Sequence, residues 1–103
     1  DYNRSMRRTV ILSPDATRQF RALRAYDQSL LREALRVQLQ EDDATRETRH
    51  RFRLRRPSEF ADFELKVREL RVFYRVVDDE VRVALIGRKE GNRLIIEGRR
   101  FVL

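Results

Sequence analysis

Four arginines stand on one side of a candidate strand pair. In Leu70 to Arg88, LRVFYRVVDDEVRVALIGR, Arg71 and Arg75 alternate with apolar residues before an acidic turn, Asp78-Asp79-Glu80, and Arg82 and Arg88 follow it. No acidic residue interrupts either arm. Like charges facing one another across strands destabilise the pair. A row of arginines without carboxylates therefore points to a bound anion. A guanidinium presents a planar fork of donors that matches two oxygens at once, so phosphate is the anion it suits best.

The composition limits what else could accompany that chemistry. The chain of 103 residues fits one domain, 1–103, with no room for a second core. Residues 1–6 are expected to be disordered or extraneous to the natural chain, with Met6 a candidate natural start. A formal charge of +7 and a pI near 10.9 point to polyanionic partners: RNA, DNA, an acidic protein or an anionic membrane. Only Lys66 and Lys89 among the 24 basic residues are not arginine. G+C-rich coding DNA produces the same skew, so the placement of charge is stronger evidence than its total. With no cysteine, disulfides and thiolate metal sites are excluded, and His50 alone cannot build a histidine cluster. The expected chemistry uses neither metal nor cofactor. No apolar run approaches the roughly 18 residues of a membrane span, and no signal peptide is visible. The expected location is cytoplasmic, with no membrane partner.

The elements that must position these residues follow from periodicity. Thr9–Leu12 is a short apolar run and a first strand. Ser13-Pro14-Asp15-Ala16 opens a helix: a hydroxyl to cap free amides, proline at the first position, an acid at the positive end of the dipole. Ala16, Phe20 and Leu23 share its face. Asp27 is expected to cap a second helix from Gln28 to about Gln40, whose main face is Leu31, Ala34, Leu35 and Gln38 or Leu39. Glu41, Asp42 and Asp43 oppose the dipole at a helix end and belong in the next loop. From Thr48 the period is two: Arg49, Arg51, Arg53 and Arg55 alternate with His50, Phe52 and Leu54, an exposed strand edge or loop. After Pro57-Ser58, Phe63, Leu65 and Val67 alternate with Glu64 and Lys66. In the hairpin, Leu70, Val72, Tyr74 and Val76 share a face with Val81, Val83 and Leu85. Gly87 and Gly91 end regular pairing, and the apolar tail from Leu94 to Leu103 makes a short edge strand. The result is an α+β fold, β-α-α-β-β-β, with a helical hairpin on one face of an antiparallel sheet. The other face is left open and carries Lys66, Arg71, Phe73, Arg75, Arg82 and Arg88.

This order, with FELKVRELRVFYRVVDDEVRVALIGRKEGNRL, resembles the RelE/ParE superfamily of bacterial type II toxins. The pattern is a polar/apolar strand, an R-V-x-Y segment, an acidic turn, and a V-x-V strand ending in glycine and basic residues. The resemblance covers nearly the whole chain. It implies a toxin held inactive by a small acidic or amphipathic antitoxin. RelE-like members cleave mRNA on the ribosome, whereas ParE-like members share the fold but inhibit DNA gyrase. Arg71 matches the arginine of the R-[LV]-x-Y motif, Lys66 one basic strand residue of the nucleases, and Arg88 and Lys89 the basic pair after the glycine. Glu64 stands where the nucleases carry a second basic residue. The aromatic residue that some of them keep falls at Ile95 and is absent.

Metal-free RNA cleavage uses the ribose 2′-hydroxyl as nucleophile and needs a base, a stabiliser of charge on phosphorus and an acid for the leaving 5′ oxygen. The resemblance assigns the phosphate to Arg71. Lys66 would be the base if neighbouring arginines depress its pKa, with Glu64 competing for that role. Arg88 or Lys89 would serve the leaving group. Arg75, Arg82, Arg51 and Arg53 would contact nucleic acid, and Phe73 would stack on a base. The leading expectation is a metal-independent endoribonuclease acting on mRNA at the ribosome. The alternatives are a non-catalytic gyrase inhibitor and a non-catalytic RNA-binding module.

Overall fold

The computed structural model describes residues 7–56 and 58–102. The expectations for residues 1–6, Pro57 and Leu103 lie outside them. The elements are β1 (Thr9–Leu12), α1 (Pro14–Arg21), α2 (Ala25–Ala34) with a π-helical continuation (Leu35–Glu41), β2 (Arg51–Arg53), β3 (Phe63–Val67), β4 (Leu70–Val77), β5 (Glu80–Glu90), β6 (Arg93–Ile96) and β7 (Arg99–Phe101). This is an α+β domain with two helices and an antiparallel sheet, ordered β2-β3-β4-β5-β6-β7. One strand departs from that pattern: β1 lies parallel to β5, from Thr9 opposite Glu80 to Leu12 opposite Val83. It shares that edge of β5 with β6, which pairs farther along at Arg88 to Glu90.

The helix starts show which local signals dominate. Ser13 is the N-cap of α1: its Oγ accepts from the Ala16 amide at 2.9 Å, and Pro14 follows at the first helical position. The same hydroxyl donates to the Ala84 carbonyl at 2.8 Å, so the cap also ties α1 to β5. The second helix begins at Ala25 rather than Gln28, and Asp27 is not its cap. Arg24 holds the cap position without a side-chain bond, and the Asp27 carboxylate turns inward to ion pairs instead. Leu31, Leu35 and Leu39, four residues apart, are buried against the sheet with Ala16, Leu65, Val72, Tyr74, Val81 and Val83. Tyr74 stacks on Phe63 with centroids 5.3 Å apart, and its hydroxyl donates to the Ala44 carbonyl at 2.7 Å. Burial raises the Tyr74 pKa well above the ordinary phenol value.

A bulge changes the hairpin. Tyr74 pairs with Val83, but Phe73 pairs with Leu85, leaving Ala84 as the extra residue. Every side chain of β5 beyond Ala84 therefore changes sides relative to strict alternation. Ile86, not Leu85, enters the core. Leu85 lies opposite Phe73, and Arg88 lies opposite the buried Leu70 on the helix side.

The face expected to be open is partly covered. Phe73 and Ile96 are buried but stand outside the main core cluster. Phe101 of β7 meets Phe60, from the segment between β2 and β3, edge to face at 6.0 Å. The sheet therefore curls until its C-terminal strand touches a residue near its opposite end. Gly87 permits the close approach of β6: a Cβ there would lie 2.7 Å from Ile96 Cγ1 and 2.9 Å from the Ile95 carbonyl oxygen.

Candidate functional site

Each of the four hairpin arginines has a carboxylate partner, contrary to the reading of an un-neutralised row. Arg71 does lie on the side away from the helices, opposite Lys66 and Gly87. It is only 8% exposed. Its Nε lies 3.3 Å from Glu64 Oε2, and Nη1 donates to the carbonyls of Arg68 and Leu70 at 2.5 and 2.9 Å. Arg75 sits 3.1 Å from Asp62 and also donates to the Ser58 and Glu59 carbonyls. Arg82 pairs with Glu80 at 2.9 Å. Arg88 is on the helix side and pairs with Asp27 at 3.0 Å. Burial pushes the Asp27 carboxyl up, but hydrogen bonds from Arg88 and Arg24 outweigh it and leave the pKa lowered. The partners come from β3, the approach to β3, the start of β5 and α2. Inspecting one hairpin alone does not find three of them.

Arg51 is the largest departure from expectation. It was expected on an exposed edge, meeting phosphates, yet it is fully buried. Its strand position opposite Leu65 turns it toward the end of the second helix. There the Asp42 amide donates to the Val37 carbonyl, five residues back, so the Gln38 carbonyl is released from the helical ladder. Arg51 Nη1 donates to that Gln38 carbonyl, Nε to the Arg46 carbonyl at 3.1 Å, and Nη2 to Asp42 Oδ2 at 2.8 Å. A cation at a helix C-terminus is also favoured by the dipole. Burial raises the Asp42 pKa, but the bonds from Arg51, the Asp43 amide and Arg46 overcome it and bring it down to about 2. Arg51 is a structural clamp, unavailable to nucleic acid. Arg53 remains exposed, its guanidinium 4.5 Å from the centroid of the Phe63 ring.

Phe73 faces away from the helices as expected, but at 1% exposure it offers no surface for stacking. Lys66 is exposed and stands 5.6 Å over the Phe52 ring. It lines a groove with His50, Arg68 and the apolar Leu30, Val37 and Val67.

Three of the five catalytic candidates do converge. Glu64, Arg71 and Lys89 line one cleft of about 290 Å³ between β3–β4 and the C-terminal hairpin β6–β7. Arg93 and Arg100 complete its charged lining, and Asn92, Phe73, Leu94 and Phe101 form other parts of the wall. By register Lys89, Leu94 and Phe101 stand on the cleft side, whereas Arg93 and Arg100 pair with Glu90 and Ile95 on the side of Arg88 and border the cleft at its rim. Among the described residues, Lys89, Arg93 and Arg100 have no carboxylate within salt-bridge distance, whereas Arg71 does. Arg93 and Arg100 were missed because they sit on short C-terminal strands whose place at the rim of the cleft depends on the curl of the sheet. The arginine-rich ending, EGNRLIIEGRRF, was the available signal. Lys66 and Arg88 are outside this cleft.

Among the described residues no three His, Asp or Glu side chains group closely enough to hold a metal ion. No described helix is long and apolar enough to cross a membrane. No protein-family model matches the chain, and no curated protein or solved structure is similar to it at a significant level.

Proposed function

We propose that this protein is a toxin of the RelE/ParE kind that binds RNA in the cleft under the C-terminal hairpin and cleaves it without a metal. The observation that carries the reading is the meeting of Glu64, Arg71 and Lys89 in one cleft, with Arg93 and Arg100 at its rim. A phosphodiester entering there meets an excess of positive charge, which stabilises the charge that builds on phosphorus.

The division of labour differs from the one the motif implies. Arg71 is committed to Glu64 and two carbonyls, so it is not a waiting phosphate receptor. Its role is to orient Glu64. Glu64 then accepts the 2′-hydroxyl proton, Lys89 faces the phosphate, and Arg93 and Arg100 reach phosphate oxygens from the rim. Lys89 is the donor to the departing 5′ oxygen, because an ammonium gives up a proton more readily than a guanidinium. A ribosome-bound mRNA is the substrate the resemblance implies, and a small acidic or amphipathic antitoxin the restraining partner.

The saturation of Arg71 also favours a second reading, a toxin of the same fold that acts by binding DNA gyrase and catalyses nothing. An in vitro translation assay read by primer extension separates the two. Discrete mRNA cuts, retained in EDTA, support the first. Inhibition of gyrase supercoiling without mRNA cuts supports the second, and silence in both assays leaves neither standing.

A further inference from the structure

We propose that Glu97 positions the C-terminal hairpin as a wall of the cleft, acting through α1. Glu97 sits in the turn between β6 and β7, with φ 53°, and Gly98 follows at φ 78°. Left-handed backbone at a non-glycine residue is held by its surroundings. Here the Glu97 carboxylate accepts from Arg18 Nη2 at 2.7 Å and from Gln19 Nε2 at 2.8 Å. Gln19 is itself buried, and its Oε1 accepts from the Ile86 amide at 2.7 Å. One amide side chain thus links the middle of β5 to the hairpin turn.

These bonds lie on the helix side of the sheet, and the cleft lies on the other side. The hairpin spans both. Its strands bring Leu94 and Phe101 into the cleft and Arg93 and Arg100 to its rim, while its turn is held by α1. The β5–β6 ladder at Arg88 to Glu90 and the Gly87 approach fix the base of the hairpin, and Glu97 fixes its turn. With the turn anchored the hairpin has a defined place beside the cleft; without that anchor its turn end loosens while the ladder to β5 holds its base. Both Glu97 bonds are charge-assisted, which makes them stronger than neutral ones.

The proposal builds on the cleft as the RNA site, and its test separates the two. Amide hydrogen exchange is measured on Glu97→Ala, Glu97→Gln and the unchanged protein. In Glu97→Ala the amides of β6 and β7 exchange about tenfold faster while those of β3 and β4 keep their rates, because opening is local. Glu97→Gln retains an acceptor for Gln19 and recovers much of the protection. Binding of a fluorescein-labelled single-stranded RNA, followed by anisotropy, weakens about fivefold in Glu97→Ala as the closed population falls. Unchanged exchange in β6 and β7 overturns the proposal, as does equal acceleration in β3 and β4, which would assign Glu97 to global stability. Faster hairpin exchange with undiminished RNA affinity upholds the anchor and overturns the cleft as the RNA site.

Discussion

The β4–β5 hairpin and the cleft beside it are both rich in arginine, but they treat charge differently. Along the hairpin, Arg71, Arg75, Arg82 and Arg88 each have a carboxylate within 3.3 Å. Around the cleft, Arg71 is paired with Glu64, while Lys89, Arg93 and Arg100 have no carboxylate within salt-bridge distance among the described residues. An arginine row by itself says little about anion binding, because neighbouring elements can supply the counter-charge. The more informative quantity is the local excess after every strand is in place. Of the four hairpin arginines, only Arg71 belongs to both regions, and it spends its charge on holding Glu64.

The sharpest test sets Glu64 against Arg82. Glu64→Gln should lower mRNA cleavage by about 100- to 10,000-fold, the usual contribution of a general base. Arg82→Ala, at an exposed ion pair, should stay within about twofold, since such pairs contribute little. Primer extension after in vitro translation measures both. Equal loss in the two variants would erase the distinction between the regions.

Arg51 sharpens the comparison from the side of stability. Arg51→Met leaves the Gln38 and Arg46 carbonyls and Asp42 without their shared donor, so urea unfolding should show a loss of about 3–5 kcal/mol. Arg82→Ala should cost no more than about 0.5 kcal/mol. A small change in Arg51→Met would mean that the clamp is dispensable.

Salt dependence measures where the phosphates lie. Replacing Lys89, Arg93 and Arg100 together by alanine should reduce the slope of log affinity against log salt by about 2, near 0.7 per lost contact with single-stranded RNA. The Arg75→Ala, Arg82→Ala double variant should leave the slope unchanged. The reverse result would return the anion site to the hairpin face.

The smallest effect belongs to Asp42. Its folded pKa, about 2, lies below the value near 3.9 expected in the unfolded chain. Its contribution is therefore complete above about pH 4 and disappears as pH falls toward about 2. Acid titration of unfolding stability should be flatter across that window in Asp42→Asn. Its partial exposure and the solvent screening that follows make this contribution modest.

Much of the architecture was legible because it follows from local chemistry. The Ser13-Pro14 start, the Leu31, Leu35 and Leu39 spacing, and the alternation of Phe63, Leu65 and Val67 each report their own element. The Ala84 bulge was not legible, since Ala84-Leu85-Ile86 is uniformly apolar and strict alternation reads through it. That single extra residue exchanged Leu85 for Ile86 in the core and carried Arg88 to the helix side. The burial of Arg51 was hidden for another reason: its acceptors lie in the segment after α2 and become available only when the last helical turn widens.

The amino-acid order alone determined a basic, cysteine-free chain, its helix starts, its principal strands and the side of β4 on which Arg71 lies, because these depend on residues a few positions apart. Only the tertiary structure decided which guanidiniums keep unspent charge. Counter-ions arrive from distant segments, and the curl that brings the C-terminal hairpin beside Glu64 is a property of the whole sheet.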